Sequence, residues 1–587
     1  MTMLSMLTAL MVATTACSTD DPLDNYNSYI TPTDGSSSST GGTTGGTTGG
    51  TTSGSGELLT FEVNIDRTTA EPTEAATAYY PEEEDDISQN SFETEVAIDM
   101  SNPKAKTENG VTITVNGGHV KADHGSTKSI CYVVSGTTSN GSLTILGDKK
   151  YEVKLSGADI TNPDSAAINL LSKKRAFIVL DGQNKVTDGT TSLNQHKGAF
   201  YAKGKLLFSG TGSLEVYGNY NNGIHSADYI VFSKGNNVYV KSVANNGIKA
   251  NDGVFINGGI LNVEVSAAAA KGINSEADIR INGGRTTVIT TGNGTYDTDD
   301  KETKAAAGIK ADSTIYVNAG QVYLKSTGSG GKGLKADWEA YLNGGTIHVI
   351  TEGSLYSSNG DTSSPKGIKV GTKNVHGVLQ ISGGDIMVRT KGSNGEGIES
   401  KGTLTITDGN VQVSAYDDAI NSSGDMTISG GSVVAVGTNN DGLDSNGNLY
   451  IKGGTIIAMG AGGAEAGIDI DEQHKLYITG GYIFGIGGRI DGNLGSASQG
   501  IVSTSGSVTA NSSVTVANGS STIASFTMPP YSYSNGTILL SAPDMKSGTS
   551  YTLTLGSSTQ TVTASNTLSS GGMGGGMPGG GGRPGGW

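Results

Sequence analysis

Cysteine is almost missing from this chain, with two in 587 residues, Cys17 and Cys131. That excludes an intrachain disulfide framework once Cys17 has another role, and two cysteines with seven scattered histidines make a poor zinc set. Positive charge is in deficit: the formal net charge is −17, which argues against nucleic acid as a partner. Long apolar runs are absent, and the one short run, Leu7 to Ala13, is too brief to span a bilayer as a helix. No stretch sustains a helical period. There is no phosphate-binding glycine loop, serine elbow or catalytic-cysteine context, and the Gly-x-Gly matches of the tether and tail reflect low complexity. Cys131 lies in a strand-like Ile-Cys-Tyr-Val-Val and reads as a buried, inert thiol.

Glycine is abundant, at 91 residues, and much of it is periodic. One phrase recurs as Ile256-Asn-Gly-Gly, Ile281-Asn-Gly-Gly, Leu342-Asn-Gly-Gly, Ile381-Ser-Gly-Gly, Ile428-Ser-Gly-Gly, Ile451-Lys-Gly-Gly and Ile478-Thr-Gly-Gly, with degraded copies at Val317 and Ile406. A second phrase, such as Gly247-Ile-Lys-Ala, Gly333-Leu-Lys-Ala and Gly442-Leu-Asp-Ser, precedes it by 9 residues. Most copies lie 22 to 27 residues apart, and two longer intervals carry insertions at 292–304 and 353–365. Weaker copies at Val115, Leu180, Phe208 and Phe232 extend the array. Such periods mean stacked units that bury a common core only by stacking. Short alternating apolar segments cut by Gly turns make each unit a set of strands. The expected fold is all-β, a parallel β-helix of roughly 14 turns and ~65 Å, from the usual strand spacing.

The ends differ from the middle. Residues 1–16 with Cys17 look like a lipoprotein signal with Cys17 lipidated, although no Lys or Arg precedes the apolar run. Residues 17–56 end in a Gly/Ser/Thr tether, and 57–100 form an acidic N-terminal segment. The coil is expected over 101–496. A small C-terminal β cap should follow over 497–565, since an open coil end recruits other strands, and 566–587 is a Gly-rich tail. Ser18-Thr-Asp-Asp-Pro is similar to the acidic tag of surface-exposed lipoproteins. The expected location is therefore the outer membrane or cell surface, with membrane contact only through the lipid, and the expected state is a monomer.

Stacking the second phrase aligns two columns. The residue after the Ile or Leu reads Lys249, Asn274, Lys310, Lys335, Lys369, Glu399, Asn421, Asp444, Asp469. Two residues before the Ile or Leu, the column reads Asn246, Lys271, Ala307, Lys332, Lys366, Glu396, Asp418, Asp441, Ala466. Both change from lysine to carboxylate at the same turn, and like charges one turn apart repel by roughly 1 kcal/mol even in water. Lys310, Lys335 and Lys369 are candidate contacts for an anionic polymer. Glu396, Glu399, Asp418, Asp441, Asp444 and Asp469 are candidate ligands for a hard divalent cation, calcium by choice. The bland reading is that Asp-Gly is an ordinary turn and lysine an ordinary surface residue. Asp297, Asp299, Asp300 and Glu302 on an insertion read as a solvated charge run.

The stretch Asn440-Asp-Gly-Leu-Asp-Ser-Asn-Gly-Asn-Leu-Tyr-Ile-Lys-Gly-Gly454, with Pro529-Pro-Tyr-Ser-Tyr-Ser and Ser541-Ala-Pro-Asp-Met-Lys downstream, resembles a bacterial family of carbohydrate-binding parallel β-helix proteins. The resemblance implies a right-handed, pectate-lyase-like coil that binds calcium and recognises cellulose and acidic plant sugars. It points to Asp441 and Asp444, with Glu396, Glu399 and Asp418 as equivalents in other turns. The function expected is non-catalytic binding of a polysaccharide such as polygalacturonate or cellulose. A calcium-dependent lyase is the alternative, with Lys369 beside Glu396 and Glu399 as its one base–calcium junction. A third reading is a surface adhesin or scaffold.

Overall fold

The computed structural model describes residues 58–568, apart from Thr69 and Leu193. Cys17, the tether and nearly all of the tail lie outside the described residues. Each repeat makes three short strands, for example Leu443–Ser445, Leu449–Ile451 and Thr455–Met459. The next turn places Ile468–Ile470, Lys475–Ile478 and Tyr482–Gly487 directly above them, parallel and in register. Strand-on-strand stacking thus produces three parallel ladders, called first, second and third here in the order the chain visits them. The first ladder is a 16-stranded sheet whose first two strands are antiparallel and whose other fourteen, Gly118–Asp123 to Ile468–Ile470, are parallel. The fold is the expected parallel β-helix. The weak copy at Val115 is not a coil turn, because Val111–Asn116 pairs antiparallel with Gly118–Asp123 as a hairpin.

Alternation turns one residue of each strand pair inward, and the inward residues stack into a single core from Val96 to Leu539. The Ile or Leu of the second phrase (Ile273, Ile309, Leu334, Ile368, Ile398, Leu443) is fully buried in every one of these turns. The second Gly of each Gly-Gly corner supplies a left-handed backbone, as at Gly454 with φ 83°. A Cβ there would lie 2.7 Å from the carbonyl oxygen of Gly430 in the turn below. The polar residue before the glycines forms its own ladder: Asn282, Asn318 and Asn343 each donate to the asparagine one turn back, at 2.7 to 3.0 Å.

Residues 58–93 form a strap along the outside of the coil, running against the direction in which turns are added. Leu58 and Leu59 pack with Val434, Ile457 and Phe484 of the upper third ladder. Glu62 pairs with Arg389 at 3.1 Å, Asp66 with Arg285 at 3.8 Å, and Glu71 accepts from the Gly259 amide at 2.6 Å. Lower down, Tyr80, Ile87 and Phe92 cover Phe177, Leu207, Val231 and Phe255 on the second ladder. After Asn493–Ala497, the last parallel pairing, the strands turn antiparallel. Tyr533–Ser541 closes the edge of the third ladder at Tyr482–Gly487. A four-stranded antiparallel sheet, Ser513–Asn518 with Ser521–Thr527, Ser550–Leu555 and Ser558–Thr563, shares one apolar cluster with Val434, Ile457 and Phe484. The C-terminal strands therefore flank the last turns as well as closing an edge. The two insertions fold as hairpins, Thr295–Asp297 with Glu302–Lys304 and Tyr356–Ser358 with Asp361–Ser363, joined by the Thr303 amide donating to Asp361 at 2.7 Å.

Candidate functional site

The outward column of the first ladder is assembled as the repeat dictates. Asn274, Lys310, Lys335, Lys369, Glu399, Asn421, Asp444 and Asp469 are register partners through successive turns. The lysine and carboxylate halves behave differently. Lys310 pairs with Asp312 and, at 3.0 Å, with Asp337, and Lys335 pairs with Asp337 at 3.1 Å. Lys369 lies 3.0 Å from Glu399. The three lysines thus meet carboxylates supplied by this chain, two of which stand two residues further along each strand. The neighbouring lysines sink deeper. Lys332 is buried under the second hairpin, donating to the Gly330 carbonyl (2.6 Å), the Ser363 hydroxyl (2.8 Å) and the Ser364 carbonyl (2.5 Å), and burial drives its pKa well down.

At the junction, Glu399 is 2 % exposed and takes Lys366 at 3.4 Å, Lys369 at 3.0 Å and Lys401 at 2.6 Å. Burial alone would raise its pKa, but the three ammonium groups hold it well below the usual carboxylate range. Glu396 is turned to Lys366. Of the six carboxylates expected as cation ligands, these two are committed to lysines.

The other four form an acidic block with few cations near it. Asp418 and Asp441 are buried at 5 % and 7 % exposure. Each holds the coil together through one oxygen, Asp418 accepting from the Asp441 amide at 3.2 Å and Asp441 from the Ala466 amide at 2.6 Å. Burial, then repulsion from Asp444 and Glu396, pushes Asp418 up to about 9. Asp441 is raised to about 6, chiefly by burial, with Glu465 adding to it. Burial and Asp441 raise Asp444 to about 7, and burial with Asp441 and Asp491 raises Asp469 to about 8. Arg489, paired with Asp491, opposes the rise at Asp441. The donor chemistry, carboxylate oxygens on turns, suits a hard cation. In their present rotamers, no three His, Cys, Asp or Glu side chains among the described residues converge as a metal site.

One serine–histidine–aspartate constellation is present and was not legible from spacing. His196 lies 2.7 Å from Ser192 Oγ through Nδ1 and 2.7 Å from Asp188 through Nε2. The Ser192 oxygen also accepts from the amides of Asn194 (3.3 Å) and His196 (3.0 Å). Those donors make it the hub of a loop turn and oppose its use as a nucleophile. Cys131 is buried and unpaired, donates to Glu152 at 3.1 Å, and is pushed up to about 12 by burial and that carboxylate. On the second ladder the outward column is aromatic in places: Tyr316 stacks on Tyr341 (5.2 Å between centroids) and Tyr450 on Tyr477 (4.9 Å). Trp338 stands at the corner between first and second ladders with 58 % of its surface exposed.

Comparison with known proteins follows this geometry. A carbohydrate-binding relative from Acetivibrio thermocellus, named a carbohydrate-binding domain-containing protein, is 31% identical over 149 residues, which is 24% of this chain and 51% of the relative. The chain therefore spans about half the length of that relative. A solved structure, described as the polysaccharide lyase-like protein from C. thermocellum in a gadolinium derivative, has 22% identity and a TM-score of 0.31, covering 49% of this chain and 96% of its own. One family model matches three times in overlapping tandem, over residues 107–269, 264–351 and 326–435. Those matches run through more than half of the sequence and trace the repeats of the coil, so the chain belongs to the family of carbohydrate-binding domain-containing proteins.

Proposed function

We propose that this protein is a non-catalytic polysaccharide-binding protein, displayed at a cell surface through a lipid on Cys17, with calcium held at the Asp441, Asp444 and Asp469 edge of the coil. The observation that supports it most is the repetition itself. The family's unit recurs along one rigid axis, so a polymer can meet equivalent turns at several points, and weak contacts repeated on one chain gain avidity. Calcium is favoured by the uncompensated acidic block, whose in-register pair Asp444 and Asp469 repels in its absence. Calcium there would neutralise the block and could bridge the protein to a sugar carboxylate.

Binding rather than cleavage is favoured by the state of the bases. Lyase chemistry needs a neutral amine or free guanidine poised at a uronate α-carbon. Lys366 is held charged by Glu396 and Glu399; Lys369, although burial lowers its pKa, has its amine turned to the buried Glu399 at 3.0 Å and away from any open face. The pairing of Lys310 and Lys335 with aspartates removes much of the motive for an anionic ligand at the lysine block. The test is sedimentation with insoluble cellulose and retardation in gels containing polygalacturonate, each with calcium and with EDTA, alongside absorbance of unsaturated uronates. Retention on at least one polymer with no rise in absorbance is expected. No retention on any polymer would sink the reading, and a calcium-dependent rise would establish a lyase.

A further inference from the structure

A coil that simply continued from its N-terminal segment would be held by its first strand. Thr94–Asp99 is that strand, and it pairs with Ile130–Thr138, the next one up. The chain reaches it by a detour. Leu58 and Leu59 are buried in one apolar cluster with Phe484 of the last third-ladder strand and with Phe526 and Leu553 of the C-terminal sheet. From there the strap descends, and its pairs follow in order. Arg389 takes the Leu59 carbonyl and Glu62, Arg285 takes Asp66, Asn257 exchanges two hydrogen bonds with the Tyr79 backbone, and Arg175 takes Asp85 at 2.7 Å. Strap positions rise from 59 to 85 while their partners fall from 389 to 175. The strap is pinned hardest at its two ends. At the top are the two buried leucines and the buried Arg389, and at the bottom Arg175 gathers Glu82, Glu84 and Asp85 above the apolar cover of Ile87 and Phe92.

Where the chain enters the folded region decides which end of the coil is held. Residues 18–57 connect Cys17 to Leu58, so they join the coil beside its last turns and not at Thr94. The other end of the described chain lies there too, since Ser565 pairs with Ile501 and Leu568 packs against the core. Two exposed residues mark the ends of the coil on one and the same corner. Lys128 lies between Gly118–Asp123 and Ile130–Thr138 of the first parallel turn, and Gln473 between Ile468–Ile470 and Lys475–Ile478 of the last. Fourteen parallel strands of the first ladder, hence thirteen spacings, put them roughly 60 Å apart along the axis.

We infer that the strap sets the polarity of the coil toward the membrane. The coil faces the lipid surface with its C-terminal end, the Asp441, Asp444 and Asp469 edge included, and its N-terminal turns stand outermost. This rests on the lipid at Cys17 in the proposed function. A rigid coil held at one end keeps that end nearer the surface on average, because the far end approaches only by tipping the whole coil over. Without the strap the attachment would pass to Thr94, and the opposite end would be held. A partner approaching from outside therefore meets the N-terminal turns first and the acidic block last.

The test couples the Cys17 thiol of the full, unacylated chain to a maleimide lipid in phosphatidylcholine vesicles, Cys131 being buried. A fluorescent amino acid replaces Lys128 or Gln473, and the vesicles carry an acceptor lipid. Energy transfer from position 473 should exceed that from position 128 several-fold. Equal transfer, or more from 128, would overturn the inference. Leu58→Ser with Leu59→Ser and Arg389→Ala loosens the top of the strap, so the ratio should fall toward one. Arg389→Ala alone, which leaves the apolar cluster intact, should lower it in part. An unchanged ratio in both variants would overturn the strap as the cause. The underlying reading is tested apart, by fractionating cells that make Cys17→Ser. Loss of that variant from the membrane fraction is expected, and its retention there would overturn the lipid anchor whatever the vesicles show.

Discussion

The acidic block makes the coil's stability depend on pH in the direction opposite to most proteins. Carboxylates that gain partners on folding lose stability as pH falls. Asp418, Asp441, Asp444 and Asp469 instead have their pKa values raised, to about 9, 6, 7 and 8, by burial and by neighbouring carboxylates. Between the unfolded value near ~3.9 and those folded values, the native state keeps protons that the unfolded chain has released. Their stabilisation is therefore complete below about pH 4 and declines as pH rises through 6 to 9. Asp441 alone, raised by about 2 units, corresponds to ~3 kcal/mol. The more open Asp444 and Asp469 add less per unit because solvent screens them. A total of roughly 3–6 kcal/mol corresponds to a melting-point difference on the order of 5–10 °C for a large cooperative unit. The assay is thermal unfolding followed by far-ultraviolet circular dichroism at pH 5, 6.5 and 8, in EDTA and in calcium. In EDTA the midpoint should fall with rising pH, and Asp441→Asn with Asp444→Asn should flatten that fall. Calcium at ~100 times its dissociation constant should restore about 2.7 kcal/mol at pH 8. A midpoint in EDTA that is level or rises from pH 5 to 8, or the same slope in the double variant, would refute the reasoning.

Three further outcomes follow from the packing. Replacing Lys310, Lys335 and Lys369 together by glutamine removes both ammonium partners of Asp337 and one of the three on Glu399, which keeps Lys366 and Lys401, so the melting temperature should drop by an amount equivalent to about 1–3 kcal/mol; an unchanged midpoint would show these pairs to be idle. Arg389→Ala removes the 2.7 Å bond to the Leu59 carbonyl and the Glu62 pair, so limited proteolysis should cut the 58–66 stretch faster than in the wild type while the coil itself survives. Gly454→Ala puts a Cβ 2.7 Å from the Gly430 carbonyl oxygen at φ 83°, and should destabilise by at least ~1–2 kcal/mol in denaturant titration, and an undiminished midpoint would show that the corner tolerates a side chain.

Most of the coil was readable because its determinants are local and repeated. The Gly-Gly phrase sets a left-handed corner, the residue before it makes the asparagine ladder, and a fixed 9-residue spacing puts the second phrase one strand earlier, so a single copy of the rule predicts the register of Lys310 on Lys335 and Asp444 on Asp469. The same logic shows why the site was read less well. The columns run through the phrase alone, and the residues that answer the lysines, Asp312 and Asp337, stand one position beyond its end. The position before the Gly has no burial signature in the repeat, yet Lys332 is buried beneath a hairpin whose fold the repeat does not specify, and Lys366 is buried against Glu396 and Glu399. One signal was available and unused: Ser432-Val-Val-Ala-Val, Thr455-Ile-Ile-Ala-Met and Tyr482-Ile-Phe-Gly-Ile are apolar at consecutive positions, the pattern of strands buried on both faces. Lower third-ladder strands such as Ser213–Gly218 alternate instead. The upper turns were announcing a covering layer, which the C-terminal sheet and Leu58 and Leu59 supply. The strap itself had no such signature, because its partners lie 66 to 330 residues away and its contacts follow no repeat. Its path nonetheless has a functional consequence that no local pattern contains. By crossing from the second ladder to the third at Gly283, it covers the apolar residues of the lower turns and leaves Trp338 and the outward pair Glu339 and Tyr341 outside its path. On this coil the repeat provides the surface, and a non-repeating segment decides which part of that surface stays open.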